Sequence, residues 1–308
     1  TSAQRSAVLK WKGGEAGDNG TVNMNIAENE YVHIADPAMR SLLLAYYDKS
    51  PKDGKLHVDE MNAITELSIN YSKTYTTFEG KKVHITSLDA LRNMPNLERL
   101  KIYDVEKGEG TAESINKFEK MNKNLSLNGN PKLKRLEIVH WYSLDTLDLR
   151  PNQELEELYY DCRPYDSTTE DGFVKIDGYA EPITKYGKLS CVLINGCKRL
   201  RHLKIVNGTL TGEGQSINLK NMPQLESLDL RYNRISDVYI RESYQLDDLS
   251  KVKLGWQRVE DKDISLKKNV DGLYTHNYIK NKVRSFISAK NGTNVINYNS
   301  DNYKVELR

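Results

Sequence analysis

The sequence predicts an α/β solenoid: a right-handed superhelical coil of short turns, with a parallel sheet on its concave side, mostly extended segments on its convex side and a helical cap at its N-terminal end. Two observations predict it. Outer apolar positions at Leu91, Leu127, Leu149, Ile194, Leu219 and Ile240 are each followed six residues later by a leucine, at Leu97, Leu133, Leu155, Leu200, Leu225 and Leu246. Beyond those leucines come alternating pairs, Leu100 and Ile102, Leu136 and Ile138, Leu158 and Tyr160, Leu203 and Ile205, Leu228 and Leu230, with Ile64, Leu67 and Ile69 as a partial first turn. Alternation at a period of two marks a strand, and its return at one spacing marks stacked units that share a core. The sixth frame falters after Leu249, where Val252 and Leu254 fit better, so regular winding should end near Gly255.

Residues Leu225 to Ile235 spell L-x-x-L-x-L-x-x-N-x-I, the leucine-rich-repeat consensus. In that pattern Leu228 and Leu230 point into the coil, while Ser227, Asp229 and Arg231 point out on the concave side. Asn233 turns the chain, and its side chain should bond backbone groups that the turn leaves unpaired. The outer halves also alternate, as Leu125 and Leu127, Leu147 and Leu149, Val192 and Ile194, Ile217 and Leu219, and Val238 and Ile240, which argues for extended convex segments instead of helices. From the end of an inner pair to the next outer pair the gaps are 23, 9, 32, 12 and 8 residues. Every addition therefore falls at one junction, which maps to one edge of a coil, where binding loops concentrate. Without the additions the repeat is 21 residues long.

The remaining segments follow in order. Residues 1–30 are rich in Gly, Asn, Ser and Glu and should be a flexible start, although Ala7–Trp11 and Thr21–Ile26 could pair as a small hairpin. Residues 31–62 form the cap: Asp36 is placed as an N-cap with Pro37 at the first helical position, and Met39, Leu42, Leu43 and Tyr46 recur at helical spacing until Gly54. The solenoid occupies 63–255, with insertions at about 103–124 and 161–188. In the first, Thr111 precedes Ile115, Phe118 and Met121, the pattern of a capped amphipathic turn or two. The second carries Tyr165, Phe173, Tyr179 and Tyr186 around Asp177 and Gly178, a tyrosine-rich hairpin. Residues 256–308 read as a C-terminal cap anchored by Leu273, Tyr278, Val283, Phe286 and Ile287, with a final strand at Val295–Tyr298.

Composition excludes several classes of function. Lys and Arg total 45 against 43 acidic residues, so a net charge of +2 gives no field that would gather nucleic acid or a membrane surface. No run of 18 apolar residues exists to span a bilayer. The chain starts at Thr1 without a basic-then-apolar leader, which suits either a cytosolic protein or one whose targeting peptide has been removed. Cys162, Cys191 and Cys197 are too few and too unevenly spaced for a disulfide framework or a zinc site. Residues 48–60 have the order of a calcium loop in Asp53, Gly54, Leu56 and Glu60. Counting back from Gly54, however, puts Pro51 and Lys49 where oxygen ligands belong, and a start at Asp48 makes the loop one residue too long. A tight turn closing the cap helix is the expectation there, and no metal or cofactor is expected anywhere.

The stretch from Ile34 to Leu44, the following Tyr47 and Asp48 with Asp53, Gly54 and Lys55, and the inner and outer leucine pairs together resemble the short-repeat leucine-rich-repeat proteins that Bacteroidetes and some other bacteria export to their surface. The resemblance covers roughly residues 31–255. It implies a non-catalytic binding protein, extracellular or held at the outer membrane by a lipid anchor, with Ile34 through Asp48 as the N-terminal cap. The long insertions and the loss of asparagine at several turns depart from the pattern, so the partners of relatives are a poor guide.

Outward concave positions mix both charge signs with aromatics, which suits a protein or glycan surface and lacks the paired acids of a hydrolase. The candidate binding residues are Arg99, Tyr103, Glu157, Tyr159, His202, Lys204, Asp229 and Arg231 on that face, and Tyr165, Tyr179 and Tyr186 in the second insertion. Cys197 takes the inward slot filled by Met94, Asn130, Asn152 and Met222 in sister turns and should pack in the core. His140 and His202 have no nucleophile placed beside them, and the chain has no H-E-x-x-H, G-x-S-x-G, phosphate-binding glycine loop or C-x-x-C. The expected partner is a protein, with carbohydrate as the alternative.

Overall fold

The computed structural model describes residues 4–12, 19–27, 31–49, 52–104, 118, 120–162, 173–176, 179–182, 187–211, 216–219, 221–231, 233–234, 237–241, 251–253, 285–289, 294–298 and 305–307. An antiparallel hairpin comes first, β1 (Gln4–Lys12) and β2 (Asn19–Ala27), in which Ala7 faces Met24 and Val8 faces Asn23. Helix α1 (Pro37–Tyr47) and the short α2 (Val58–Asn62) follow. Winding then runs through β3 (Glu66–Asn70), the small pair β4 (Tyr75–Thr76) and β5 (Lys82–Val83), a 3-10 turn at Asp89–Asn93, β6 (Arg99–Tyr103), β7 (Asn124–Leu125), β8 (Arg135–Val139), β9 (Thr146–Asp148) and β10 (Glu157–Asp161). The second insertion contributes β11 (Phe173–Ile176) and β12 (Tyr179–Pro182), antiparallel with Ile176 opposite Tyr179. After it come β13 (Cys191–Leu193), β14 (His202–Val206), β15 (Ser227–Asp229), β16 (Asp237–Arg241), β17 (Val252–Lys253), β18 (Ser285–Ala289), β19 (Asn294–Tyr298) and β20 (Val305–Leu307).

The inner strands form one seven-stranded parallel sheet in the order β3-β6-β8-β10-β14-β15-β17. Its register aligns Leu67, Leu100, Leu136, Leu158, Leu203, Leu228 and Val252 side by side. The first turn is thus a full strand, where the sequence suggested a partial one. All six leucines are buried, as are Ile69, Ile102, Ile138, Tyr160 and Ile205 two residues on. A second parallel sheet, β7-β9-β13, lines up Leu125, Leu147 and Val192, and a bridge carries Val192 on to Ile217. The convex side is extended because its residues alternate and each unit is too short to fit a helix. The outer pair at Val238 and Ile240 instead pairs β16 with β18, in a sheet that β19 and β20 complete. Val295–Tyr298 lies in β19 and is followed by one more strand.

Between outer and inner positions, five of the described turns close alike. Met94, Asn130, Asn152, Cys197 and Met222 point inward, and the amide of the residue three further on donates to the carbonyl at that slot. The inward side chains stitch neighbouring turns. Asn130 Nδ2 donates to the carbonyls of Leu91 and Met94, and Asn152 Nδ2 to those of Leu127 and Asn130. Cys197 Sγ donates to Leu149 at 3.3 Å and Asn152 at 3.6 Å. Cys197 is therefore a rung of a polar ladder as well as core packing. The slot asks only for a donor: Asn130 Oδ1 and Asn152 Oδ1 are buried without a partner among the described residues, so a thiol replaces the amide with no acceptor left over.

At the other junction Asn233 meets its expectation, with Nδ2 donating to Ile205 at 2.8 Å, Leu230 at 3.0 Å and Arg231 at 3.3 Å. Trp141, five residues beyond Leu136 as Asn233 is beyond Leu228, is part of an aromatic stack: Tyr71 lies flat on Phe118 with centroids 4.3 Å apart, and Phe118 meets Trp141 edge-on at 5.1 Å. Phe118 is buried as expected, but Met121 is 59% exposed, at the residue where the helical segment ends. Thr111 and Ile115 lie outside the described residues, as do Leu246, Leu254, Leu273, Tyr278 and Val283.

Asp36 caps α1 through Oδ1, which accepts from Met39 N at 2.8 Å, with Pro37 in the first turn. Met39, Leu42 and Leu43 are buried. Two expectations fail here. The helix stops at Tyr47, not near Gly54, and Tyr46, though on the same face as Met39, Leu42 and Leu43, is 65% exposed because the helix ends one residue later. The described residues between α1 and α2, 48, 49 and 52–57, belong to the tight turn that closes the helix. Asp48 Oδ2 accepts from Gly54 N, at a residue whose positive φ of 78° favours glycine, and Glu60 accepts from Lys49 N and His57 N.

Candidate binding face

Strand register arranges the outward side chains in rows across the concave sheet. One row runs Glu66, Arg99, Arg135, Glu157, His202, Ser227, and the next runs Ser68, Lys101, Glu137, Tyr159, Lys204, Asp229. The rows pair within themselves. Arg99 meets Glu66 at 2.7 Å, Arg135 meets Glu157 at 3.0 Å and Lys101 meets Glu137 at 2.7 Å. His202 Nδ1 lies 2.9 Å from Ser227 Oγ, and the Lys204 ammonium sits 4.6 Å from the Tyr159 ring centroid. A second lysine, Lys101, covers Tyr103 at 5.2 Å. The face is thus a lattice of mutually satisfied groups, each contact worth little at such exposure.

Of the candidates, Arg99, Tyr103, Glu157, Tyr159, His202 and Lys204 do stand together on this face. Asp229 does not lie open: it is 9% exposed, its carboxylate held by Arg231 Nε at 2.9 Å and a terminal guanidinium nitrogen at 2.8 Å, both within one turn. Asp161 and Val206, outward by alternation, are buried at the strand ends, where Asn207 Nδ2 donates to Asp161 at 3.0 Å. Alternation alone misplaces them because the chain leaves the sheet there. Tyr179 lies on β12, and Tyr165 and Tyr186 lie outside the described residues.

Along the edge where the chain enters each inner strand, Glu98, Lys134, Glu156, Arg201 and Glu226 follow one another, each N–H donating to the carbonyl of the residue before. Their charges alternate without a break. Lys134 meets Glu98 at 2.9 Å and Arg201 meets Glu226 at 2.7 Å, and the Arg201 hydrogen bond holds the Glu226 carboxyl below its ordinary pKa.

Sequence reasoning missed a cleft at the N-terminal end of this face, between α1, β3 and β4. Tyr46, Tyr47, Tyr75 and Tyr103 wall a volume of about 590 Å³. Burial raises the pKa of both Tyr47 and Tyr75 above the ordinary tyrosine value. The Tyr46 and Tyr47 pair at a helix end was the available signal.

Among the described residues, no group of three or more His, Cys, Asp and Glu side chains is placed to hold a metal ion, and no helix is long and apolar enough to cross a membrane. The parallel ladder of buried leucines with its polar inward rungs defines a leucine-rich-repeat solenoid. Solved structures similar to this chain include InlP of Listeria monocytogenes, 14% identical over 68% of this chain and 57% of that one with a TM-score of 0.33. The functional domain of InlJ from Listeria monocytogenes, which includes a cysteine ladder, is 13% identical over 74% of this chain and 62% of that one with a TM-score of 0.19. An internalin, InlF, from Listeria monocytogenes str. 4b F2365 is 17% identical over 83% of this chain and 90% of that one with a TM-score of 0.19. The chain spans less than two thirds of the first two. No protein-family profile and no curated protein matches it.

Proposed function

We propose that this chain is a non-catalytic recognition module of a bacterial surface or exported protein, binding a protein partner through the concave face, with the edge insertions beside it. What supports the reading most is the continuous seven-stranded face itself, which sets Glu157, Tyr159, His202 and Lys204 at its centre on adjacent, register-locked strands. A rigid sheet presents those groups without an ordering cost on binding, which is what a recognition surface needs. In the same reading the coil is right-handed, as parallel crossovers are, residues 31–62 and 256–308 cap its two ends, and Tyr165, Tyr179 and Tyr186 anchor the partner from the rim.

The test compares partner recovery on the immobilised full chain with recovery on Tyr159→Ala/Lys204→Ala and on a chain lacking residues 163–187. Loss of a specific band with either variant supports the reading. Undiminished recovery by both removes the face and the insertion from the account. Carbohydrate is the weaker alternative, since a sugar stacks on an open ring and the rings of Tyr103 and Tyr159 each carry a lysine ammonium on one face. Glycan-array binding lost on Tyr159→Ala would favour it.

A further inference from the structure

The concave sheet ends at β3, and the chain treats that open edge unevenly. Peptide groups alternate in direction along a strand. Those of Thr65 and Tyr71 turn toward β6, since Thr65 O accepts from Glu98 N and Arg99 N, and Tyr71 N donates to Tyr103 O. Glu66, Ser68 and Asn70 therefore turn theirs away from the sheet. Two of these carbonyls are already occupied. Glu66 O accepts from the Tyr47 hydroxyl, and Asn70 O from the Tyr75 hydroxyl at 3.0 Å. Between them, the N–H and C=O of Ser68 have no partner among the described residues.

The gap opens into the tyrosine-walled cleft, which Ser68 and Lys73 also line. An edge that needed only protection would be capped throughout or charged. Here the two tyrosine hydroxyls occupy the flanking carbonyls and leave Ser68 with both its N–H and its C=O open, and the Lys73 ammonium beside them has no ion pair among the described residues. The volume is of the size that takes a small ligand or a few residues of chain.

The geometry points to this cleft as the docking site for a short extended peptide of a partner protein, added as an antiparallel strand beside β3. Antiparallel pairing fits the narrow opening because one peptide residue then makes both bonds to Ser68. Residues flanking it place an apolar side chain between Tyr46 and Tyr103 and a carboxylate at Lys73. The inference rests on the reading of the chain as a protein-recognition module and narrows where and how a partner segment is held.

Random peptides displayed on phage are selected against the full chain, and the consensus is synthesised and titrated by fluorescence anisotropy against wild type, Ser68→Pro, Ser68→Ala, Tyr46→Ala and Tyr159→Ala. Proline at 68 removes the edge N–H and no donor that β6 uses, and edge strands tolerate it. The expected consensus joins an acidic to an apolar residue. Its affinity falls at least about tenfold more with Ser68→Pro than with Ser68→Ala, and also falls with Tyr46→Ala. Tyr46 is exposed, so that variant keeps the test standing if Ser68→Pro does not fold. Equal binding by Ser68→Pro and wild type overturns the inference, as does recovery of no consensus. Binding lost on Tyr159→Ala but kept on Ser68→Pro overturns the cleft while leaving the concave face in place. A dimer seen by light scattering that Ser68→Pro dissociates, or neutral oligosaccharides lost only on Tyr46→Ala, replaces the peptide with a second copy or a sugar and overturns it too.

Discussion

Asp36 clasps Thr86 across fifty residues of chain: its Oδ2 accepts from the Thr86 N–H and hydroxyl, each at 2.7 Å, and from Ser87 N at 2.9 Å. The other oxygen caps α1, so one carboxylate both starts the helix and fastens it to the segment leading into β6. Asp36→Ala should cost about 2–4 kcal/mol, the sum of a lost cap and of charge-assisted bonds left unmade. Asp36→Asn, which keeps one acceptor oxygen, should cost about half. Urea unfolding at constant slope measures both, and a penalty below about 1 kcal/mol for alanine would show that the clasp holds nothing.

The donor ladder makes a prediction about interchangeability. Asn152→Ala leaves the carbonyls of Leu127 and Asn130 without their side-chain donor and should cost about 1–3 kcal/mol. Asn152→Cys should recover most of that, because the slot uses only a donor. Cys197→Asn should stay within about 1 kcal/mol of wild type, since it gains a stronger donor and buries an oxygen with no partner. Thermal melts of the three variants in reducing buffer decide it.

Burial pushes the Cys197 thiol from 9.0 up to about 11. A raised pKa means that the folded chain holds this proton more tightly than the unfolded one. The stability it contributes is complete below pH 9 and drains away between pH 9 and 11, by about 2–3 kcal/mol. Cys197→Ala should therefore be the less stable protein at pH 7 and lose its disadvantage by pH 11. Parallel unfolding curves for the two chains that keep a constant gap across this range would contradict it. At neutral pH the same proton keeps Cys197 inert to iodoacetamide in the folded state.

Charge order along the strand-entry edge is open to a direct test. Lys134→Glu sets three carboxylates in succession, at positions 98, 134 and 156, where neighbours are linked by backbone hydrogen bonds. The melting temperature should drop by a few degrees at low ionic strength and return toward wild type as salt screens the repulsion. A salt-independent drop would place the effect in packing.

The leucine register was legible because burial imposes it: a slip of one residue at Leu136 or Leu158 would turn the whole strand inside out. Asn233 was legible because its consensus position implies the backbone groups it serves. The roles of Asn130, Asn152 and Cys197 were not, since the carbonyls they reach belong to the preceding turn and lie between 22 and 48 residues away. Side assignment failed at Tyr46, Met121 and Asp161 for one reason. Periodicity gives the face of an element but not where the element stops. The cleft escaped notice because Tyr46, Tyr75 and Tyr103 meet only once α1 has been placed against β3.

The stack of Tyr71, Phe118 and Trp141 joins side chains from three successive windings, and the Tyr71 hydroxyl also reaches the His140 carbonyl at 2.9 Å. In a coil held together by nearest neighbours, melting from the far end proceeds one winding at a time. Here that advancing front meets a rivet: the first three windings must open together or stay shut, so the indole of Trp141 should report a single late step in unfolding, after the distal windings have already come apart.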